Sequence, residues 1–454
     1  MVVQLVEQLR FKDGRSVDYR RACQAFGNHL AEDKDFTILR DILDQFDPAL
    51  RHPSETPGEL IRSVSRALVD LQGILDSFVN LDPMFEPIQS ACCTIILNAW
   101  PGVIECVKRL VPGGTTVCAQ VLDATKAAFR NPPHLSNQIL CSPASMDLMC
   151  TILCHRYSRV DVPDPEEEMQ ILETLASLLA KPGFCGTPSC ALAIYLSEGS
   201  HATRRQVPAA IVSMVRNLKT SPVPHGRDVG DWITDLARGV KSAIVVAGQL
   251  FNFSYLWRFF HQHDFLVEYS TALHTLIERA IAHGAPNPQF WDIAASATGA
   301  MIDVLIWNRS PRPVAAAAQC AKGRLVLSAL QCLVHLDDYT LNSWQQLERS
   351  VSRFGFLFMS CPKVASIVDP TYDESVKLVR RILAREEPRL DNMCRRFIIS
   401  VYRGRGSIHD SIAKAPRNMC SNLKVSLPTL FALALPIADG LNLYRKGVVV
   451  PPKI

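Results

Sequence analysis

The chain has 454 residues, of which 48% are hydrophobic, 20% charged and only 7% aromatic. Its 48 Lys and Arg against 44 Asp and Glu leave a net charge of +4, too even for a nucleic-acid coat or an acidic solvating tail. A mean hydropathy of +0.09 excludes wholesale disorder, and the length asks for two or three packing units or one elongated array.

Residues Met1 to Arg15 lack the basic start, apolar run and small-residue cleavage site of a secretory signal. Helix signals then follow almost everywhere. Asp35 precedes a run with Leu39, Ile42, Leu43 and Phe46 on one face, stopped by Asp47-Pro48. Thr56-Pro57-Gly58-Glu59 is a capping box with proline at the first helical position. It opens a helix with Ile61, Val64, Leu68, Leu71, Leu75 and Phe78 on one stripe. Asp164-Pro165-Glu166-Glu167 repeats that design and feeds Met169, Leu172, Leu175 and Leu179 into a second stripe, ended by Lys181-Pro182-Gly183.

Read this way, the chain holds roughly seventeen to twenty helices joined by short Pro, Gly, Asn and Asp breaks. Two segments read weakly as strands, Phe251 to Trp257 by alternation and Phe397 to Tyr402 by β-branching, each without a partner hairpin. The absence of βαβ alternation makes the expected fold all-α. Helices with one wide apolar stripe must stack on neighbours to bury it, so an irregular armadillo/HEAT-like α-solenoid of stacked antiparallel helices is expected. The expected divisions are an N-terminal helical lobe at 1–220, a second at 221–402 and a poorly ordered basic and apolar tail at 403–454. The longest charge-poor window is read from Ser242 to Leu256, with a shorter one from Val425 to Ala438, and both fall short of the roughly 20 apolar residues of a span. No membrane span is therefore expected.

Fifteen cysteines are scattered without the spacing of a disulfide scaffold, which reads as buried thiols in a reducing compartment, cytoplasmic or nuclear. The best metal candidates are Cys150 and Cys154, one helical turn apart, with Cys185 and Cys190 flanking a glycine-proline loop. Zinc would accept such a set, but the short C-x-x-C knuckle is missing. No metal or other cofactor is expected.

His261, His263, Asp264 and Glu268 form a polar cluster, with His261, Asp264 and Glu268 placed on one helical face. Asp228, Asp231 and Asp235, with Asp337-Asp338, raise magnesium-dependent chemistry in an all-α fold, yet no D-D-x-x-D spacing is present. Ser411-x-x-Lys414 and Ser421-x-x-Lys424 lack the companion elements of a serine nucleophile site. There is no Walker A loop, dinucleotide fingerprint or nucleophile elbow. The alternative to a non-catalytic protein is an all-α, metal-dependent enzyme in which Asp231, Asp235, Asp337 and His263 converge in one pocket.

Two features suit protein or peptide partners. The first is an aromatic block in which seven of the 34 aromatic residues fall between Phe251 and Phe265. Tyr255, Trp257 and Phe260 would be anchors if it lines a groove, and core if it is a buried helix. The second is a basic segment: from Ser375 to Lys424 twelve Lys and Arg face four acids. Val376, Val379, Ile382 and Leu383 give its first helix an apolar face, with Lys377, Arg380, Arg381 and Arg385 on the other. No aromatic interleaving supports nucleic acid there.

Loosely ARM/HEAT-like helices, scattered cysteines and Cys420-Ser421-Asn422 near the end give a further resemblance. Residues 1 to about 400 resemble the long helical regions of uncharacterised fungal proteins that often precede a MYND-type zinc finger. No Cys or His follows Asn422, so the finger's ligands are missing. The resemblance implies protein–protein interaction: a scaffold or adaptor, not an enzyme.

Overall fold

Proline begins six of the helices, where its missing N–H costs nothing and its fixed φ already suits the helix. The structure is a computed structural model that describes residues 17–33, 35–47, 57–78, 83–110, 141–158, 164–179, 188–251, 253–284, 288–307, 312–335, 341–358, 361, 363–364, 367 and 372–384. Among them are sixteen α-helices, one 3-10 turn (Pro83–Phe85) and no strand, so the described chain is all-α. The first half runs α1 (Val17–Glu32), α2 (Thr37–Asp44), α3 (Pro57–Phe78), α4 (Glu86–Leu110), α5 (Pro143–Ser158), α6 (Pro165–Leu179), α7 (Pro188–Glu198) and α8 (His201–Thr220). The second runs α9 (Val229–Phe251), α10 (Ser254–Gln262), α11 (Phe265–Ala282), α12 (Pro288–Trp307), α13 (Pro313–Lys322), α14 (Leu325–Val334), α15 (Leu341–Phe358) and α16 (Tyr372–Leu383).

The anticipated stripes are buried where they are described: Leu39, Ile42, Leu43 and Phe46 on and just after α2, Val64, Leu68, Leu71 and Leu75 on α3, and Met169, Leu172, Leu175 and Leu179 on α6. Asp164 caps α6 through a bond from the Glu166 amide at 3.0 Å. At α2 the capping carboxylate is Asp33, which accepts the Thr37 amide at 2.7 Å; Asp35 instead supplies a backbone carbonyl to Arg40.

Packing follows two series. Helices α6, α9, α12 and α15 pack each on the next, and so do α5, α8, α11, α14 and α16. The series touch each other through α8 with α9, α11 with α12, and α14 with α15. Upstream, α4 packs on α5, and α2 and α3 pack on α4. The strongest packing, α6 with α9, joins helices on either side of residue 220, as does α8 with α11. The Ser221–Asp228 connection is clamped between them rather than slack, because Arg227 pairs with Glu166 on α6 and with Asp235 on α9 at 2.6 Å.

A pattern recurs three times. A short helix (α7, α10, α13) of 11, 9 or 10 residues precedes a pair of helices (α8–α9, α11–α12, α14–α15). Each short helix meets the next through two residues: Gly199-Ser200, His263-Asp264 and Gly323-Arg324. Asp264 and Arg324 both turn the chain in the left-handed region, with φ of 53° and 64°, an uncommon state for residues with a Cβ. Ser200 makes the same turn extended, its hydroxyl accepting the Thr203 amide at 3.1 Å.

Three local expectations are corrected. The alternation from Phe251 to Trp257 is the end of α9, a break at 253 and the start of α10, not a strand. His261 and Glu268 do not share a helical face, because the chain reverses at Asp264 between α10 and α11. The longest charge-free run is residues 87–104, inside α4. Residues 86–109 form a helix long and apolar enough, by length and composition, to cross a membrane. Within the fold its Trp100 indole donates to Ser145 of α5 at 2.8 Å, and Ile96, Val103 and Val107 are buried.

Candidate functional site

In the series α6–α9–α12–α15 each helix is surrounded on most sides and leaves one stripe uncovered. On α6 this is Glu166, Gln170, Glu173 and Ser177; on α9 Asp231, Asp235, Arg238, Lys241, Val245 and Gly248; on α12 Asp292, Ser296, Ala300 and Asp303. On α15 it is Gln345, Gln346, Arg349 and Arg353. The stripes meet along the seams. Arg238 reaches Glu173 at 4.0 Å, Gly248 lies against Val304, and Ser350 and Gln346 of α15 donate to Asp303 of α12 at 2.9 and 3.5 Å. The result is one polar face across four helices, with small residues (Ser177, Gly248, Ser296, Ala300) among the charges.

Electrostatics tie the α6 end of that face together. The Arg227 fork holds Glu166 and Asp235, and its guanidinium lies 4.7 Å from the centre of the buried Trp232 ring. Arg238 adds a second cation to Asp235 at 2.8 Å. Asp235 is thus committed to two arginines. At the α15 end, Asp303, Gln345, Gln346, Arg349, Ser350 and Arg353 line a cavity of about 230 Å³.

The enzyme constellation does not assemble among the described residues. Asp231 sits in the first turn of α9, Asp235 is in the arginine clamp, and His263 lies at the α10–α11 junction; Asp337 falls outside the described residues. No three His, Cys, Asp or Glu side chains among the described residues come together as a metal ion would need. Cys185 and the Cys190 side chain lie outside the description. Cys150 is buried and Cys154 half-buried; burial pushes both thiols up, Cys154 to about 11, against the thiolate form that zinc takes. Beside them Asp147 of α5 joins Tyr195 of α7 and Lys108 of α4, each at 2.5 Å. Burial works to raise the Asp147 carboxyl, but the bonds from Lys108 and Tyr195 hold it below its ordinary value. This triad is a brace between three helices.

The aromatic block lies mostly inside the core. Phe251, Trp257, Phe259, Phe260 and Phe265 are buried, with Phe251 stacked on Trp257 at 4.2 Å. Tyr255 is half-buried, its hydroxyl bonded to the Ala193 carbonyl of α7. Trp257 and Phe260 are therefore core, because the break at residue 253 folds α10 back onto α9 and α11, while Tyr255 keeps part of its surface exposed. Arg380 and Arg381 are exposed on α16, whose Val379 and Ile382 face inward; Arg385 falls outside the described residues. No protein-family model matches the chain, and no curated protein matches its sequence.

A second polar seam joins α11 to α14. His274, 6% exposed, lies 3.3 Å from the Ser328 hydroxyl and 3.4 Å from Arg324, and Gln331 bonds Glu278 one turn away. Burial lowers the His274 imidazole below 6.5, aided by Arg324 and opposed by Glu278. His263 is lowered too, by burial and by Arg205 and Arg216, against Asp264. Both imidazoles fold in the neutral form. Their contribution is fully present above the unfolded value and is lost as pH falls from there through the lowered folded value, since over that range the unfolded chain binds more protons. The thermal unfolding midpoint is expected to drop between about pH 7 and pH 5, with a shallower slope in His274→Gln. A slope unchanged by that substitution would assign the effect to other groups.

Proposed function

We propose that the protein is a non-catalytic scaffold or adaptor that binds partner proteins through the α6–α9–α12–α15 face, its helices forming an irregular armadillo-like solenoid. The observation that carries this reading is the threefold recurrence of a short helix, a two-residue junction and a helix pair. Units that stack in series, each burying its apolar stripe on the next, generate extended surfaces made of one stripe per repeat. A polar face studded with small residues suits such a surface, because a peptide backbone can approach closely where side chains are short. An intracellular setting fits the ten described cysteines, all free thiols.

Affinity capture with the full chain tests this. The variant Ser177→Arg/Lys241→Glu/Ser296→Arg obstructs the face at half-buried or exposed positions, and Lys377→Glu/Arg380→Glu alters the basic face of α16. Loss of captured partners with the first variant and retention with the second is expected. Partners lost only with the α16 variant would move the surface to that helix, and partners retained by both would overturn the proposal.

A further inference from the structure

The cavity between α12 and α15 has a chemistry of its own. Its six described lining residues are all polar or charged, with two guanidiniums against one carboxylate. Asp303 is already engaged, accepting from the Ser350 hydroxyl at 2.9 Å and more weakly from Gln346 at 3.5 Å. Arg349 and Arg353 stand one helical turn apart on α15, both exposed, and so project to the same side. Among the described residues the Arg349 guanidinium makes one long hydrogen bond, at 3.4 Å to its neighbour Gln345. Its fork therefore keeps donors directed at the opening.

Size and charge narrow what fits. A space of about 230 Å³ holds a handful of waters at roughly 30 Å³ each, enough for one side chain but below the range of drug-sized ligand pockets. A guanidinium fork matches a carboxylate in plane and spacing. The described lining nets one positive charge, which suits a monoanion; Asp303 works against a dianion such as a phosphate monoester. The carboxamides of Gln345 and Gln346 carry both donors and acceptors, the complement of a passing peptide unit. Resting on the reading of this face as a docking surface, we propose that the cavity receives a glutamate or aspartate side chain from an extended acidic segment of a partner protein. Arg349 holds its carboxylate, Arg353 one turn on adds positive charge beside it, and the two glutamines meet the adjoining backbone.

The test uses the full chain and a fluorescein-labelled hexaglutamate peptide, followed by anisotropy at about 0.15 M salt, where charges beyond about 8 Å are largely screened. Arg349→Gln/Arg353→Gln is expected to weaken binding at least about tenfold, the scale of one lost charge-assisted contact. Lys377→Gln/Arg380→Gln removes the same charge on α16 and is expected to change binding less than about twofold, a long-range screened effect. Asp303→Asn removes the one carboxylate among the described lining residues and should leave binding equal or tighter. All substituted arginines are exposed, and matched unfolding midpoints verify that the variants fold. Equal losses in the two double variants would show a general charge effect and overturn the pocket. Absence of saturable binding to the unaltered chain would overturn it as well, as would weaker binding by Asp303→Asn. Inorganic phosphate competing better than succinate would replace the carboxylate with a phosphate. The wider docking reading stands or falls apart from this, on partners lost with the Ser177/Lys241/Ser296 variant.

Discussion

Phe251→Ala is expected to destabilise the chain by about 3–5 kcal/mol, the usual cost of truncating a core phenylalanine. Phe251 is 2% exposed at the last position of α9 and stands at the centre of the aromatic knot. Trp257 stacks on one face at 4.2 Å and 8°, while Phe260 and Phe265 approach edge-on at 4.8 and 5.6 Å. Three helices meet there, so the ring's removal opens a cavity that no single side-chain shift fills. Offset and edge-on ring pairs add about 0.5–1.5 kcal/mol each beyond the area they bury. Trp257→Phe is expected to cost under about 1.5 kcal/mol, because it keeps the stack and deletes an indole N–H that is buried without a hydrogen-bond partner. Urea unfolding at neutral pH measures both. A cost below 1 kcal/mol for Phe251→Ala would mean that the knot is not what fixes the turn from α9 into α10.

That result also bears on how partner surfaces are sought. An aromatic cluster in a sequence has two meanings, anchor or core, and composition does not separate them. What separates them here is the break at residue 253, where the Phe253 amide turns back to the Leu250 carbonyl at 3.1 Å. The break folds α10 onto α9 and points the rings inward. Asn252 and Ser254 are turn-forming types, but in Phe251-Asn-Phe-Ser they alternate with aromatics and so read equally as a period-two strand. By contrast, the start of α6 was legible because cap, proline and apolar period coincide at Asp164, Pro165 and Met169. The same holds for α16, whose alternation of Val379 and Ile382 with Arg380 and Arg381 gives its buried and exposed faces directly.

The threefold recurrence was not legible. The short helices begin at residues 188, 254 and 313, on uneven spacing, and their sequences, PSCALAIYLSE, SYLWRFFHQ and PVAAAAQCAK, share no pattern. What they share is a two-residue junction, set by backbone geometry that different residues reach by different means. The candidate docking face was hidden for a related reason. Its residues come one stripe at a time from helices some fifty or more positions apart, so Ser177, Gly248, Ser296 and Arg349 become neighbours on a surface only through packing. The acids singled out in the sequence, Asp231 and Asp235, do lie on this face, but Asp235 is held by Arg227 and Arg238, and arginines so placed cannot be found by spacing.

Gly323→Ala is expected to cost about 1–3 kcal/mol, the scale of forcing extra volume into a well-packed site, even though alanine at a compatible φ loses less unfolded-state entropy than glycine does. In sequence, Gly323 looks like a helix stop chosen for backbone freedom. Its φ of −78° needs no such freedom; the left-handed residue is the next one, Arg324, at 64°. The glycine is required by proximity. A Cβ at this position would lie 2.5 Å from the Ser270 Cβ, 2.8 Å from the Val267 carbonyl oxygen and 3.1 Å from the Thr271 amide nitrogen of α11. Two of these are backbone atoms of a packed helix and cannot rotate aside, so α13 would have to lift from α11 and disturb the junction into α14. Gly239 makes an instructive contrast: its added Cβ would meet the Met169 Cγ at 2.8 Å and the Leu218 Cδ1 at 2.9 Å, both on side chains free to repack. Gly102, exposed inside α4 with nothing within 4 Å of an added Cβ, is expected to gain about 0.5–1 kcal/mol as alanine from reduced unfolded-state entropy. The expected order of stability changes is therefore loss at 323, smaller loss at 239 and gain at 102. Equilibrium unfolding of the three alanine variants reads that order directly, and a neutral Gly323→Ala would show that the α13–α11 contact yields where its backbone atoms say it cannot.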